Sequence, residues 1–132
     1  MTDTSFQNYS ALVIDDEKFT RTVLARMLGN LGFKEVYQAE DGSTGLTAVH
    51  DLNPDVIVCD IQMKPMNGLT FLQQLRETAE GERKKLPVVF ITNLIDQESL
   101  SAARGFGSEH FLLKPVTPAI LKDKLSTILT MA

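Results

Sequence analysis

Asp15, Asp16, Asp60, Thr92 and Lys114 share one kind of position. Each stands just after a short apolar run: Ala11-Leu12-Val13-Ile14, Val56-Ile57-Val58-Cys59, Val88-Val89-Phe90-Ile91 or Phe111-Leu112-Leu113. Together they supply three carboxylates, a hydroxyl and an ammonium. Clustered carboxylates repel one another, and a hard divalent cation relieves them; oxygen ligands with water left in the shell suit Mg²⁺. A cation, a lysine and a threonine hydroxyl side by side can neutralise and hydrogen-bond the oxygens of a phosphoryl group. A carboxylate can itself be the nucleophile, giving an acyl phosphate. Taken singly the residues are bland. An aspartate at a strand–helix junction commonly caps the helix, Thr92 alone would serve as a turn or helix cap, and Lys114 alone would be a surface lysine. Asp60 fits the capping role least, because Ile61-Gln62-Met63 follows and no helix starts at once. Their joint occurrence at four strand ends is what points to phosphoryl chemistry.

The elements that must carry these residues are legible in the apolar pattern. Continuous apolar runs without alternation predict strands buried on both faces, as in a parallel sheet. Val36-Tyr37-Gln38-Ala39 alternates instead and suits an edge strand. Val23, Leu24, Met27, Leu28 and Leu31 fall on a single helical face, closed by Gly32. Leu46, Val49 and Leu52 mark a second helix, ended by Asn53-Pro54. Leu69, Leu72 and Leu75 mark a third, with Asn67 at its cap. Residues 96–104 form a fourth, weaker pattern. A fifth has Thr117 at its cap, Pro118 in its first turn and Leu121, Leu125, Ile128 and Leu129 on its face. The stretch Thr78 to Leu86, with Arg83-Lys84-Lys85, reads as a solvated loop. Residues 1–8 read as a flexible lead-in to one domain spanning 9–132. Five β-α repeats with right-handed crossovers place helices on both sides of one parallel sheet. The working rim of such a sheet lies beyond the carboxyl ends of its strands, where the five residues stand.

Bulk composition narrows the classes. The chain has 132 residues, 43% hydrophobic and 23% charged, as expected for one ordinary globular domain. Its net charge of −4 disfavours a nucleic-acid partner. Cys59 is the single cysteine, so neither an intrachain disulfide nor a cysteine-based zinc site can form. The sequence contains neither an apolar run of membrane-spanning length nor a signal-peptide pattern. A cytoplasmic protein, monomeric or weakly dimeric, is the expectation.

Ile14-Asp15-Asp16-Glu17, Val58-Cys59-Asp60, Pro65-Met66-Asn67-Gly68, Phe90-Ile91-Thr92 and Leu113-Lys114-Pro115 together resemble the receiver domain of bacterial two-component response regulators, the CheY-like family. The resemblance covers about residues 9–131. It implies an α/β fold, a doubly wound flavodoxin-like (βα)5 three-layer sandwich with a five-stranded parallel sheet of order 2-1-3-4-5. It implies that Asp60 is the phosphoacceptor, taking phosphate from a histidine kinase or phosphotransfer protein. Asp16 and Asp60 would be direct Mg²⁺ ligands, with Asp15 acting through water and the backbone carbonyl of Gln62 completing the protein ligands. Thr92 and Lys114 would hold the phosphoryl oxygens, and the Lys114–Pro115 bond would be cis. Phe111 would be the switch aromatic that turns inward when Thr92 moves toward the phosphate; ordinary core packing is its plainer reading. Such a protein is a signalling switch rather than an enzyme, catalysing only its own phosphoryl transfer and dephosphorylation.

Departures from the family pattern are also legible. Lys64 stands where the family usually has proline, with Pro65 one later, and adds charge near the pocket. Asn93 replaces a small residue and could narrow access to the phosphate or bond to it. Gln62 and Leu94 occupy the two positions that usually tune dephosphorylation: Leu94 hinders an approaching water, whereas Gln62 can orient one. A haloacid-dehalogenase-type phosphatase would need a second aspartate at position 62. A flavodoxin-type electron carrier would need a hydroxyl- and glycine-rich loop where Asp15-Asp16-Glu17 stands, and Gly105-Phe106-Gly107 completes no dinucleotide motif. The alternative within the family is a degenerate receiver acting as a phosphorylation-independent binding module. With no output domain after Ala132, the expected output is protein contact through the face around the fourth helix, fifth strand and fifth helix, near Leu94, Ile95, Phe106 and Phe111.

Overall fold

The computed structural model describes residues 6–78, 81, 85–93, 95–108 and 110–130. Within them the chain runs β1 (Ser10–Ile14), α1 (Lys18–Asn30), β2 (Glu35–Ala39), α2 (Gly42–Leu52), β3 (Val56–Asp60), α3 (Gly68–Thr78), β4 (Val88–Thr92), α4 (Gln97–Gly105), β5 (His110–Leu113) and α5 (Pro118–Thr130). The strands form one parallel sheet in the order β2-β1-β3-β4-β5. β1, β3 and β4 are central, which is why residues 11–14, 56–59 and 88–91 are apolar without a break. β2 lies at an edge, as its alternation predicts.

Because strand side chains alternate between faces, the sheet divides its core in two. Leu12, Ile14, Ile57, Cys59, Val88 and Phe90 point to one side, where they meet Val49 of α2, Phe71, Leu72 and Leu75 of α3, and Ala103 of α4. Ala11, Val13, Val58, Val89 and Ile91 point to the other, against Leu24 and Leu28 of α1 and Leu121, Leu125 and Leu129 of α5. Each fully buried Leu, Ile or Phe contributes about 1.5–3 kcal/mol over an exposed one. The expected helical faces hold at their centres and fray at their edges: Val23 is 36% and Leu52 43% exposed.

The predicted caps form. Thr70 N donates to Asn67 Oδ1 at 2.9 Å, and Ile120 N to Thr117 Oγ1 at 3.2 Å. Asn53 ends α2 in the left-handed region at φ 51°. α4 is capped by Asp96, whose Oδ1 accepts from Ser99 N at 2.7 Å.

Two features depart from the sequence reading. In the expected lead-in at 1–8, residues 1–5 lie outside the described residues, but Phe6 is fully buried. Its ring stacks on Phe33 with centroids 4.7 Å apart. Phe33 sits in the α1–β2 connection and presents a ring face that Phe6 covers. Nearby, the Tyr9 hydroxyl donates to Leu129 O at 3.2 Å. In the expected loop from Thr78 to Leu86, residues 79, 80 and 82–84 lie outside the described residues, yet Leu86 is buried and its carbonyl is held. Arg76 of α3 donates from Nη1 to Leu86 O and from Nε to Phe106 O, both at 2.8 Å. Burial of this guanidinium pulls its pKa below the ordinary value, so the two bonds offset a real desolvation cost. Arg76→Met keeps much of the stem packing and removes both bonds. It is expected to lower unfolding free energy by about 2 kcal/mol, read as a shifted urea midpoint at unchanged slope.

Candidate functional site

The carboxyl ends of β1, β3, β4 and β5 bring the five sequence-flagged residues together. Asp15 continues β1: its N donates to Ala39 O at 3.2 Å, and it is 1% exposed. Its Oδ1 accepts from Glu17 N at 2.9 Å, and its carbonyl accepts from Arg21 Nη1 at 2.8 Å. Asp60 closes β3 and is 5% exposed. Asp16 is exposed, and its Oδ2 accepts from Lys64 N at 3.2 Å. One carboxylate oxygen from each of Asp15, Asp16 and Asp60 lies within 4.8 Å of the others.

Lys114 approaches from beyond β5. Its Nζ is 3.4 Å from Asp60 Oδ1 and 3.9 Å from Asp15 Oδ2. These are ion-pair contacts without well-directed hydrogen bonds: Asp15 Oδ2 and Asp60 Oδ1 are the buried side-chain oxygens left without a hydrogen-bond partner among the described residues. Burial raises the pKa of both carboxyls. The Glu17 amide and Lys114 oppose this at Asp15. Lys114 opposes it at Asp60, while Asp15 and Asp16 add to it. One ammonium among three carboxylates leaves a surplus of negative charge and two orphaned oxygens, all hard donors. That set fits a divalent cation such as Mg²⁺.

The electrostatics make a pH prediction. Each carboxyl binds its proton more tightly folded than unfolded. The stability this confers is complete below the ordinary value of 3.8 and is lost as pH rises through the raised value. Asp15→Asn keeps an oxygen for the Glu17 amide and cannot ionise. Its stability relative to the native protein should therefore rise as pH climbs above the ordinary carboxyl value of 3.8 in chelator, measured as urea midpoints.

Thr92, the last residue of β4, is fully buried. Its hydroxyl donates to Gln62 Oε1 at 3.0 Å, and its carbonyl accepts from Lys114 N at 2.8 Å. The loop after Asp60 folds back through Met63 N and Gly68 N, which donate to Ile61 O at 3.0 and 2.8 Å. Gly68 packs against the Asp60 carbonyl so closely that a Cβ there would overlap its oxygen. The Lys114–Pro115 bond is cis, as the resemblance implied, and so is Lys64–Pro65. Phe111 is half-buried, its ring centroid 5.5 Å from that of Phe90. Ile95 and Phe106 are also half-buried, and Leu94 lies outside the described residues.

Sequence reasoning missed the supports. Arg21 braces Asp15 through a backbone oxygen and reaches Gln38 Oε1 at 3.3 Å; nothing in its position signalled that. Lys64 was flagged for its charge, but the contact it makes with Asp16 is through its amide. Asn93 lines a mainly apolar groove of about 370 Å³ beside Lys114 and Pro115, walled on the other side by Phe19, Val23 and Met27 of α1.

The chain matches the family described as response regulator receiver domain over residues 11–126. It is 34% identical over 122 residues to chemotaxis protein CheY-3 of Vibrio cholerae serotype O1, covering 92% of each chain. It is 32% identical over 117 residues to chemotaxis protein CheY of Pseudomonas aeruginosa, covering 89% of this chain and 93% of that protein. Among solved structures, chemotaxis protein CheY4 of Vibrio cholerae superposes with a TM-score of 0.84 at 27% identity, over 92% of this chain and 98% of that one. The CheX–CheY–BeF3–Mg²⁺ complex of Borrelia burgdorferi gives 0.81 at 25% identity, over 91% and 88%.

Proposed function

The chain belongs to the response regulator receiver domain family of two-component signalling, and we propose that within it Asp60 accepts a phosphoryl group and so switches a protein-binding face. The observation that carries this is the convergence of Asp15, Asp16 and Asp60 within 4.8 Å, with Lys114 Nζ 3.4 Å from Asp60. An Asp60 carboxylate oxygen attacks phosphorus, the bond to the donor's imidazole nitrogen breaks, and the product is a mixed carboxylic–phosphoric anhydride. Lys114 pairs with a phosphoryl oxygen and holds it for in-line transfer. The Thr92 hydroxyl donates to another. Asp15, Asp16, Asp60 and the Gln62 carbonyl would hold Mg²⁺, which when bound neutralises charge on the phosphoryl oxygens. Hydrolysis returns the carboxylate and inorganic phosphate.

The donor is a histidine kinase or phosphotransfer protein, and the location is cytoplasmic; no helix among the described residues is long and apolar enough to cross a membrane. The output is a protein contact at the face formed by α4, β5 and α5, with Phe111 as the aromatic that responds to Thr92. The Borrelia CheY, complexed with CheX, BeF3 and Mg²⁺, supports a receiver that meets its partner with a phosphate mimic and Mg²⁺ bound. The receiver unit is taken as residues 9–132, with Phe6 packed onto it.

Incubation with acetyl phosphate and Mg²⁺ tests the reading. One phosphoryl group should be added per chain by intact mass, stable to neither alkali nor hydroxylamine. A protein that gains none is not a phosphorylation switch, and the phosphorylation-independent binding module takes its place.

A further inference from the structure

We propose that the Gln62 side chain is a latch on Thr92: it occupies the one hydrogen the Thr92 hydroxyl can donate, and a phosphoryl group on Asp60 must displace it. This deepens the reading of Asp60 as phosphoacceptor and rests on it. A threonine hydroxyl carries a single hydrogen, and here it points at Gln62 Oε1, 3.0 Å away. Thr92 is fully buried, and the side chain it donates to belongs to the loop just beyond Asp60. Asp60 and Thr92 end adjacent strands, with Asp60 paired in register to Ile91, so both hydroxyl acceptors come from the β3 side. Gln62 is solvent-exposed, so once released its amide can exchange the bond for water.

The latch is a positioning role, distinct from orienting a hydrolytic water. It weakens the binding of any phosphoryl group by the net value of one partly exposed hydrogen bond, a factor of about three to ten. It also acts only through the Thr92 hydroxyl. Substitution of Gln62 should therefore matter when Thr92 is present and not when it is valine.

A double-mutant cycle on the full chain reads this coupling. Native protein, Gln62→Met, Thr92→Val and the double variant are titrated with beryllium fluoride in Mg²⁺ by calorimetry. Gln62→Met, close in size and lacking an acceptor, should tighten binding about threefold to tenfold. In the Thr92→Val background it should change nothing. Gln62→Glu keeps an acceptor and adds charge, so it should not tighten binding. The Thr92 amide resonance of the metal-free protein should move on Gln62→Met, before any phosphate mimic is present. Equal tightening with and without the Thr92 hydroxyl, or no tightening at all, overturns the latch and leaves the phosphoacceptor reading standing. Native protein that fails to bind beryllium fluoride overturns both.

Discussion

Asp60→Asn is expected to take up no phosphate from acetyl phosphate and Mg²⁺, and to melt at a higher temperature than the native protein. The substitution preserves shape and removes two things. An amide oxygen is too weak a nucleophile to displace a phosphate leaving group, so incorporation should fall below detection in an intact-mass assay that labels the native chain. The variant also cannot ionise, so the cost of a buried carboxylate beside Asp15 disappears while Lys114 remains to balance Asp15. That relief should raise the melting temperature measured without metal, each 1 kcal/mol of it appearing as roughly 3 °C in a domain of this size. Residual labelling of Asp60→Asn would move the acceptor to exposed Asp16. A lower melting temperature would mean that the Lys114–Asp60 pair stabilises the fold more than the burial costs it.

Gly68→Ala should be strongly damaging for so small a substitution. The added Cβ would overlap the Asp60 carbonyl oxygen and stand 3.0 Å from both Ile61 Cα and Phe90 Cε1. Two of these neighbours are backbone, which cannot rotate aside, and the third is a fully buried ring. Overpacking of this kind costs about 1–3 kcal/mol, occasionally more, and we expect about 3 kcal/mol in urea unfolding. Relief must come from moving the loop that begins at Ile61 or the end of β3. Gly68→Ala should therefore also slow phosphate uptake at temperatures where it remains folded. Unchanged stability would show that the loop yields freely.

The sheet and the acidic cluster were readable because each depends on local pattern. Leu12, Val58 and Phe90 sit in unbroken apolar runs that only a doubly covered strand tolerates, and Asp15, Asp60, Thr92 and Lys114 follow those runs directly. What stayed hidden depends on partners distant in sequence. Phe6 is one aromatic in polar surroundings, and its value lies in Phe33. Arg76 looks like any charge on a helix, because its acceptors are backbone carbonyls of Leu86 and Phe106. Gln62 reads as a tuning position, and only the fold brings its amide to a hydroxyl thirty residues away. Val23 and Leu52 fit their helical faces by spacing but fall at the margins, where the sheet no longer covers them.

The bond from Lys114 N to Thr92 O has an evolutionary consequence. The two groups proposed to grip a phosphate hang from one main-chain joint, formed by atoms that every residue type except proline possesses. Drift in the surrounding side chains can alter how strongly each group holds its ligand, yet the spacing between them is inherited with the backbone. Descendants of such a site can diversify in lifetime and partner while keeping the same gauge.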